Sequence, residues 1–124
     1  MGIYHLLPES YHLAQADTDL YLPATFDEEG FIHCTAEADV LVDIANLYFA
    51  ELAEPLLVYT IEEARLTSPV RYEPPAHVAG VENQAGPAAD ILFPHIYGPI
   101  NRPAIVETTT LMRNNAGRWA WPTD

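Results

Sequence analysis

Apolar residues at Leu41, Ile44, Ala45, Tyr48, Phe49 and Leu52 recur at i, i+3, i+4, i+7, i+8 and i+11. That spacing makes one stripe of an amphipathic helix and predicts a helix over about 36–52. Thr35 stands at its head as a candidate cap, and Glu37 and Asp39 fall in the first turn, where the helix dipole favours negative charge. Pro55 ends it. Just before the helix, Gly30-Phe31-Ile32-His33-Cys34-Thr35 reads as a turn and a short strand running into the cap. Alternate strand residues share a face, so His33 goes with Phe31 and Thr35, and Cys34 with Ile32. A strand-to-helix junction also sets His33 near free backbone N–H groups, which suits an anionic ligand.

The remaining pattern is mostly extended. Ile3–Leu7 is an opening strand, followed by a short helix over 9–16 with Pro8 in its first turn. Residues 20–25 are extended but limited to an edge by Pro23, and 27–30 is a turn. Leu56–Ile61 is a continuous apolar, β-branched run, which predicts a buried strand. Val70–Glu73 alternates like an outer strand. Residues 74–89 hold three prolines and two glycines and read as a long loop of the lid or binding type. Extended structure returns at 90–97 and 104–111, 114–117 is a turn, and Arg118–Trp121 closes the chain. About six strands with one long and one short helix predict an α+β fold. The length of 124 residues and the lack of repeats predict a single domain over 1–124.

Charge narrows the function. Eighteen acids stand against five arginines and no lysine, for a formal charge of −13. That excludes a broad basic face for nucleic acid and docking on anionic membranes. One cysteine permits no intrachain disulfide. No apolar run reaches the length of a membrane span, and Met1–His5 shows no secretion signal, so the expectation is a soluble cytoplasmic protein. Nothing in the sequence sets an oligomeric state.

Candidate chemistry lies on the strands. His5, His33 and His95 each sit on one, and His95 shares its face with Phe93 and Tyr97. For any one of them, the ordinary alternative is a core or turn histidine bonded to a carbonyl. Together they predict a shared cleft in which imidazole and hydroxyl groups meet a ligand. Arg71 and Glu73 flank Tyr72 and share a face, either as a solvated ion pair or as an anion site beside an acid. Arg102 follows the Gly98-Pro99 turn and is a second candidate for a phosphate. His33 and Cys34 point to opposite faces, and no C-x-x-C or H-x-x-x-H spacing is present, so no metal is expected. Cys34 near a helix start is a candidate nucleophile, but its face, shared with Ile32, argues for a buried thiol.

Ile3-Tyr4-His5, Tyr21, Gly30–Thr35, Ala45-Asn46, Val70–Glu73 and Phe93–Gly98 together resemble a bacterial family of small proteins known as domain of unknown function 952. The GFIHC and FPH-x-YG segments are its most specific motifs, and the likeness covers nearly the whole chain. His12 stands where the family usually has tryptophan, and Asp39 where it usually has glutamine. The family is similar to the ADP-ribosyltransferase-like fold, a split α+β domain with small sheets that binds NAD. Tyr4-His5 and His33-x-Thr35 match two elements of its RNA 2′-phosphotransferase branch, though an RNA substrate does not fit the charge. The resemblance implies a domain that binds NAD or an ADP-ribose-bearing small molecule and transfers or hydrolyses ADP-ribose. On that reading His33 and Glu73 are the catalytic candidates. His5, Thr35, Arg71, His95, Tyr97 and Arg102 are the ligand-binding ones. A non-enzymatic nucleotide-binding or regulatory module and a cysteine- or metal-dependent enzyme are the alternatives.

Overall fold

A computed structural model describes residues 2–74 and 92–122. Its elements are strand β1 (Gly2–Pro8), helix α1 (Glu9–Ala14), β2 (Leu20–Tyr21), the one-turn helix α2 (Phe26–Glu29), β3 (Ile32–His33) and α3 (Ala38–Tyr48). Then come β4 (Leu56–Glu62), β5 (Val70–Glu73), β6 (Phe93–Ile96), β7 (Ile100–Asn101), β8 (Ile105–Thr110), β9 (Met112–Arg113) and β10 (Trp119–Ala120). The class is α+β. Most of the long loop expected at 74–89 lies outside the described residues.

Two antiparallel sheets of three strands form the body, β1-β4-β8 and β3-β6-β5, with the small pairs β2-β7 and β9-β10 beside them. Among the described residues one backbone bridge links the two sheets. Beyond β3 the chain stays extended, and Thr35 and Tyr4 exchange both backbone hydrogen bonds at 2.8 Å. The residue that reaches β1 is Thr35, one beyond the Phe31–Cys34 run, whose own strand pairing is with β6. Within its own sheet, however, β3 is an edge, and β6 is the central strand.

Strand β4 explains why Leu56–Ile61 is apolar without alternation: it is buried on both faces. Leu57, Tyr59 and Ile61 join Ile3, Leu7, Ile32, Cys34 and Ile96 in one core. Leu56 and Val58 face the other way and pack with Leu41, Ala45 and Trp119. Helix α3 thus covers one side of β1-β4-β8, and the inner face of β3-β6-β5 covers the other. The helix is shorter than its stripe predicts. It starts at Ala38 behind an N-cap at Glu37 that makes no side-chain cap bond. Thr35 does not cap it, because its backbone is committed to Tyr4. Phe49 and Leu52 still pack on the core from beyond the helix end.

Two motif residues have structural duties. Asn46 accepts from the Trp119 amide at 2.7 Å and donates to its carbonyl at 3.0 Å, which pins β10 to α3. Gly98 has φ +156°, and a Cβ there would stand 2.5 Å from Ser68 Oγ and 3.0 Å from Ser68 Cβ. Ser68 cannot swing away freely, since its hydroxyl donates to the Pro99 carbonyl at 2.7 Å. Gly98→Ala is expected to destabilise the fold by about 1–3 kcal/mol, the usual cost of overpacking combined with backbone strain. A urea unfolding midpoint equal to that of the parent protein would contradict this packing account.

Candidate functional site

Pairing of β3 with β6 puts His33 directly opposite His95, and pairing of β5 with β6 puts Arg71 opposite His95 and Glu73 opposite Phe93. Residues directly opposite in antiparallel strands share a face. The outer face of β3-β6-β5 therefore carries Phe31, His33, His95, Tyr97, Arg71 and Glu73, while Ile32, Cys34 and Ile96 turn inward to the core.

Phe31 is the centre of this face. Its ring stacks on His95 at 4.2 Å and lies 4.7 Å from His33 and 5.5 Å from Tyr97, centroid to centroid. The two imidazoles meet edge to face at 5.7 Å. Each has a carboxylate. His95 Nδ1 lies 2.7 Å from Glu73 Oε1, and the Tyr97 hydroxyl donates to the same oxygen at 2.5 Å. His33 Nε2 stands 3.0 Å from Glu29 Oε2, a close contact whose angle falls short of a hydrogen bond. Glu29 reaches it because Gly30, at φ +80°, ends α2 in the left-handed region and turns the chain back. The Arg71 guanidinium lies 5.3 Å from the Tyr97 ring centroid.

Electrostatics fix the protonation of this group. The Tyr97 hydroxyl, then His95, hold the Glu73 carboxyl below its ordinary range. Burial pushes His95 down, against the pull of Glu73. The bond to Glu73 raises Tyr97. At neutral pH the group is a carboxylate, a neutral imidazole and a neutral phenol. Since a carboxylate only accepts, the proton on His95 belongs to Nδ1, and Nε2 is left as the basic atom.

The predicted site residues divide. His33, Arg71, Glu73, His95 and Tyr97 come together on the one face. His5 comes only part of the way. Its ring lies in the core near Tyr21 and Tyr59, and its Nδ1 donates to the His33 carbonyl at 2.8 Å. It props the backbone beneath His33. Thr35, buried, serves through its backbone bridge to Tyr4. Arg102 is turned elsewhere, toward the Thr18 and Gln15 carbonyls, and its Nη1 lies 3.4 Å from the Tyr59 hydroxyl. Burial pushes the Cys34 thiol well above its ordinary value. Sequence reasoning missed Glu29. The available signal was its i, i+4 spacing to His33 across a glycine that permits a left-handed turn. Among the described residues no group of three or more His, Cys, Asp or Glu could hold a metal ion. None of their helices is long and apolar enough to cross a membrane.

The sequence profile of the family described as protein of unknown function (DUF952) matches residues 6–108. The chain belongs to that family. Its fold is similar to that of protein CC0527 from Caulobacter crescentus, with a TM-score of 0.73 and 20% identity over 97% of this chain and 94% of that one. A double methionine variant of the same protein gives a TM-score of 0.73 at 19% identity over the same shares. No curated protein matches the sequence.

Two outcomes follow from the burial of Cys34 and His5. Cys34 should remain unlabelled after brief iodoacetamide treatment of the folded protein, and rapid stoichiometric labelling by mass spectrometry would refute the buried thiol. His5 is held at about 4, mainly by burial, against an ordinary 6.5. Below 6.5 the unfolded chain takes up this proton before the folded one does, so stability falls as pH drops toward 4. The full loss is roughly 3 kcal/mol. Urea midpoints of the parent and His5→Gln, measured from pH 7.5 to 4.5, should diverge in slope, with the parent losing more. Parallel curves would contradict the neutral buried ring.

Proposed function

We propose that this member of the family binds NAD or an ADP-ribose-bearing small molecule on the outer face of β3-β6-β5, and that it breaks the nicotinamide–ribose bond there. The observation that carries the reading is the convergence on one face of a stacking ring, two imidazoles, a carboxylate held ionised and an arginine. Two small antiparallel sheets joined through one strand, with a helix backing one of them, support an ADP-ribosyltransferase-like split fold.

Each group has a task that its chemistry suits. Phe31 offers an apolar flat surface to a base or to nicotinamide. His33, whose side chain is 34% exposed, can bond ribose hydroxyls. Arg71 is the arginine of this face and the partner for a pyrophosphate. Glu73 takes both of its donors among the described residues on Oε1. Its Oε2 can then face the positive charge that develops at the ribose carbon as nicotinamide leaves. An ionised, prepositioned carboxylate stabilises that charge without reorganising.

Titration with NAD and with ADP-ribose, followed by two-dimensional NMR, tests the reading. Resonances of Phe31, Thr35 and Tyr97 should move, and His33→Ala should raise Kd about tenfold, the equivalent of one lost hydrogen bond of about 1.4 kcal/mol. His12→Ala, which removes the ring that bonds Tyr59 on α1, should leave Kd unchanged. Absence of any shift near Thr35 and Tyr97 at millimolar ligand overturns the nucleotide reading.

A further inference from the structure

His95 has a feature that simple ligand contact does not require. Its Nδ1–H is fixed on the Glu73 carboxylate at 2.7 Å, and Glu73 is itself fixed by Tyr97 at 2.5 Å. A carboxylate that orients an imidazole and stabilises its protonated form is the arrangement that makes the other ring nitrogen a general base. Phe31 stacks on the ring at 4.2 Å and His33 meets it edge to face at 5.7 Å, which restrains its rotation. His95 is also only 2% exposed. So little of the residue is open that a bulky nucleophile carried on a protein or nucleic-acid acceptor has poor access to it. A solvent molecule is small enough.

We infer that the acceptor of this site is water, and that His95 is the general base that activates it, with Glu73 holding the ring. The inference rests on the NAD reading above and names the acceptor that it left open. The glycosidic bond between ribose C1′ and the nicotinamide nitrogen breaks, and its electron pair leaves with nicotinamide. The water oxygen bonds C1′, and its proton passes to His95 Nε2. The imidazolium is stabilised by the Glu73 carboxylate and then returns the proton to solvent. The sum is NAD and water giving ADP-ribose, nicotinamide and a proton. Facing His95 are Glu73 and Arg71 from β5, His33 from β3 and Tyr97 from its own strand.

The test uses the full chain with NAD in H2¹⁸O, alone and with agmatine as a competing acceptor. Nicotinamide and ADP-ribose should form in equal amounts, with one ¹⁸O at C1′ and no agmatine adduct. His95→Gln should lower kcat by about 10²–10⁴-fold, the usual contribution of a general base, with NAD affinity retained. Nitrogen-15 NMR of the parent protein at pH 7 gives a readout independent of any variant: His95 should be the Nδ1–H tautomer with a bare Nε2. NAD that binds without releasing nicotinamide overturns the inference and leaves the binding reading standing, and so does an agmatine adduct. The Nε2–H tautomer, or full kcat in a folded His95→Gln protein, overturns the inference as well. Absence of NAD binding removes both.

Discussion

The short run from Ile32 to Thr35 carries the structure. Its first two residues pair with β6, the Cys34 amide donates to the Pro94 carbonyl at 3.1 Å, and Thr35 closes onto Tyr4 of the other sheet. The His33 carbonyl also accepts from His5. Four residues thus tie both sheets together and place one side chain in the site. Alternation does the rest. Ile32 and Cys34 must point into the core for the sheets to pack, so His33 must point out. A one-residue slip would exchange the two sets and bury an imidazole while exposing an isoleucine and a thiol. The hydrophobic core therefore sets the register of the site.

Charge is distributed in keeping with this frame. In a chain of net charge −13, the outer face of β3-β6-β5 concentrates imidazoles against carboxylates and keeps one arginine. Arg102 holds the segment after α1, and Arg113 lies over the Trp119 ring at 3.9 Å while donating to the Gly117 and Leu52 carbonyls. These cations are committed to structure. Among the described residues of these three strands Arg71 is the one guanidinium, and in an acidic chain that suits one compact anionic group better than a polyanion.

Much of this was legible from the chain. The strand faces of His33, His95, Arg71 and Glu73 follow from counting by twos, and their convergence needed only that β6 pair with both β3 and β5. The burial of Cys34 follows from the same count. Less legible were contacts that depend on backbone direction. The chain runs extended through Thr35 to reach Tyr4, which delays α3 to Ala38, and no local propensity encodes that demand. Five of the ten described strands are two residues long, some on segments with little periodicity, such as β7 and β9, where tertiary pairing alone defines them. Arg102 read as a phosphate ligand because it follows a turn. That the carbonyls of Gln15 and Thr18 take its guanidinium is a long-range fact. His5 was legible as a strand histidine, but not as a prop under another residue's carbonyl.

β3 and its extension through Thr35 form the joint between core and site. Native-state hydrogen exchange tests it most directly. If the joint is as described, the amides of Tyr4, Cys34 and Thr35 exchange only through global unfolding, at the same free energy as the core amides of β4. Exchange of the Tyr4 and Thr35 amides at markedly lower free energy than those of β4 would mean that the sheets part while each stays folded, and would contradict the account.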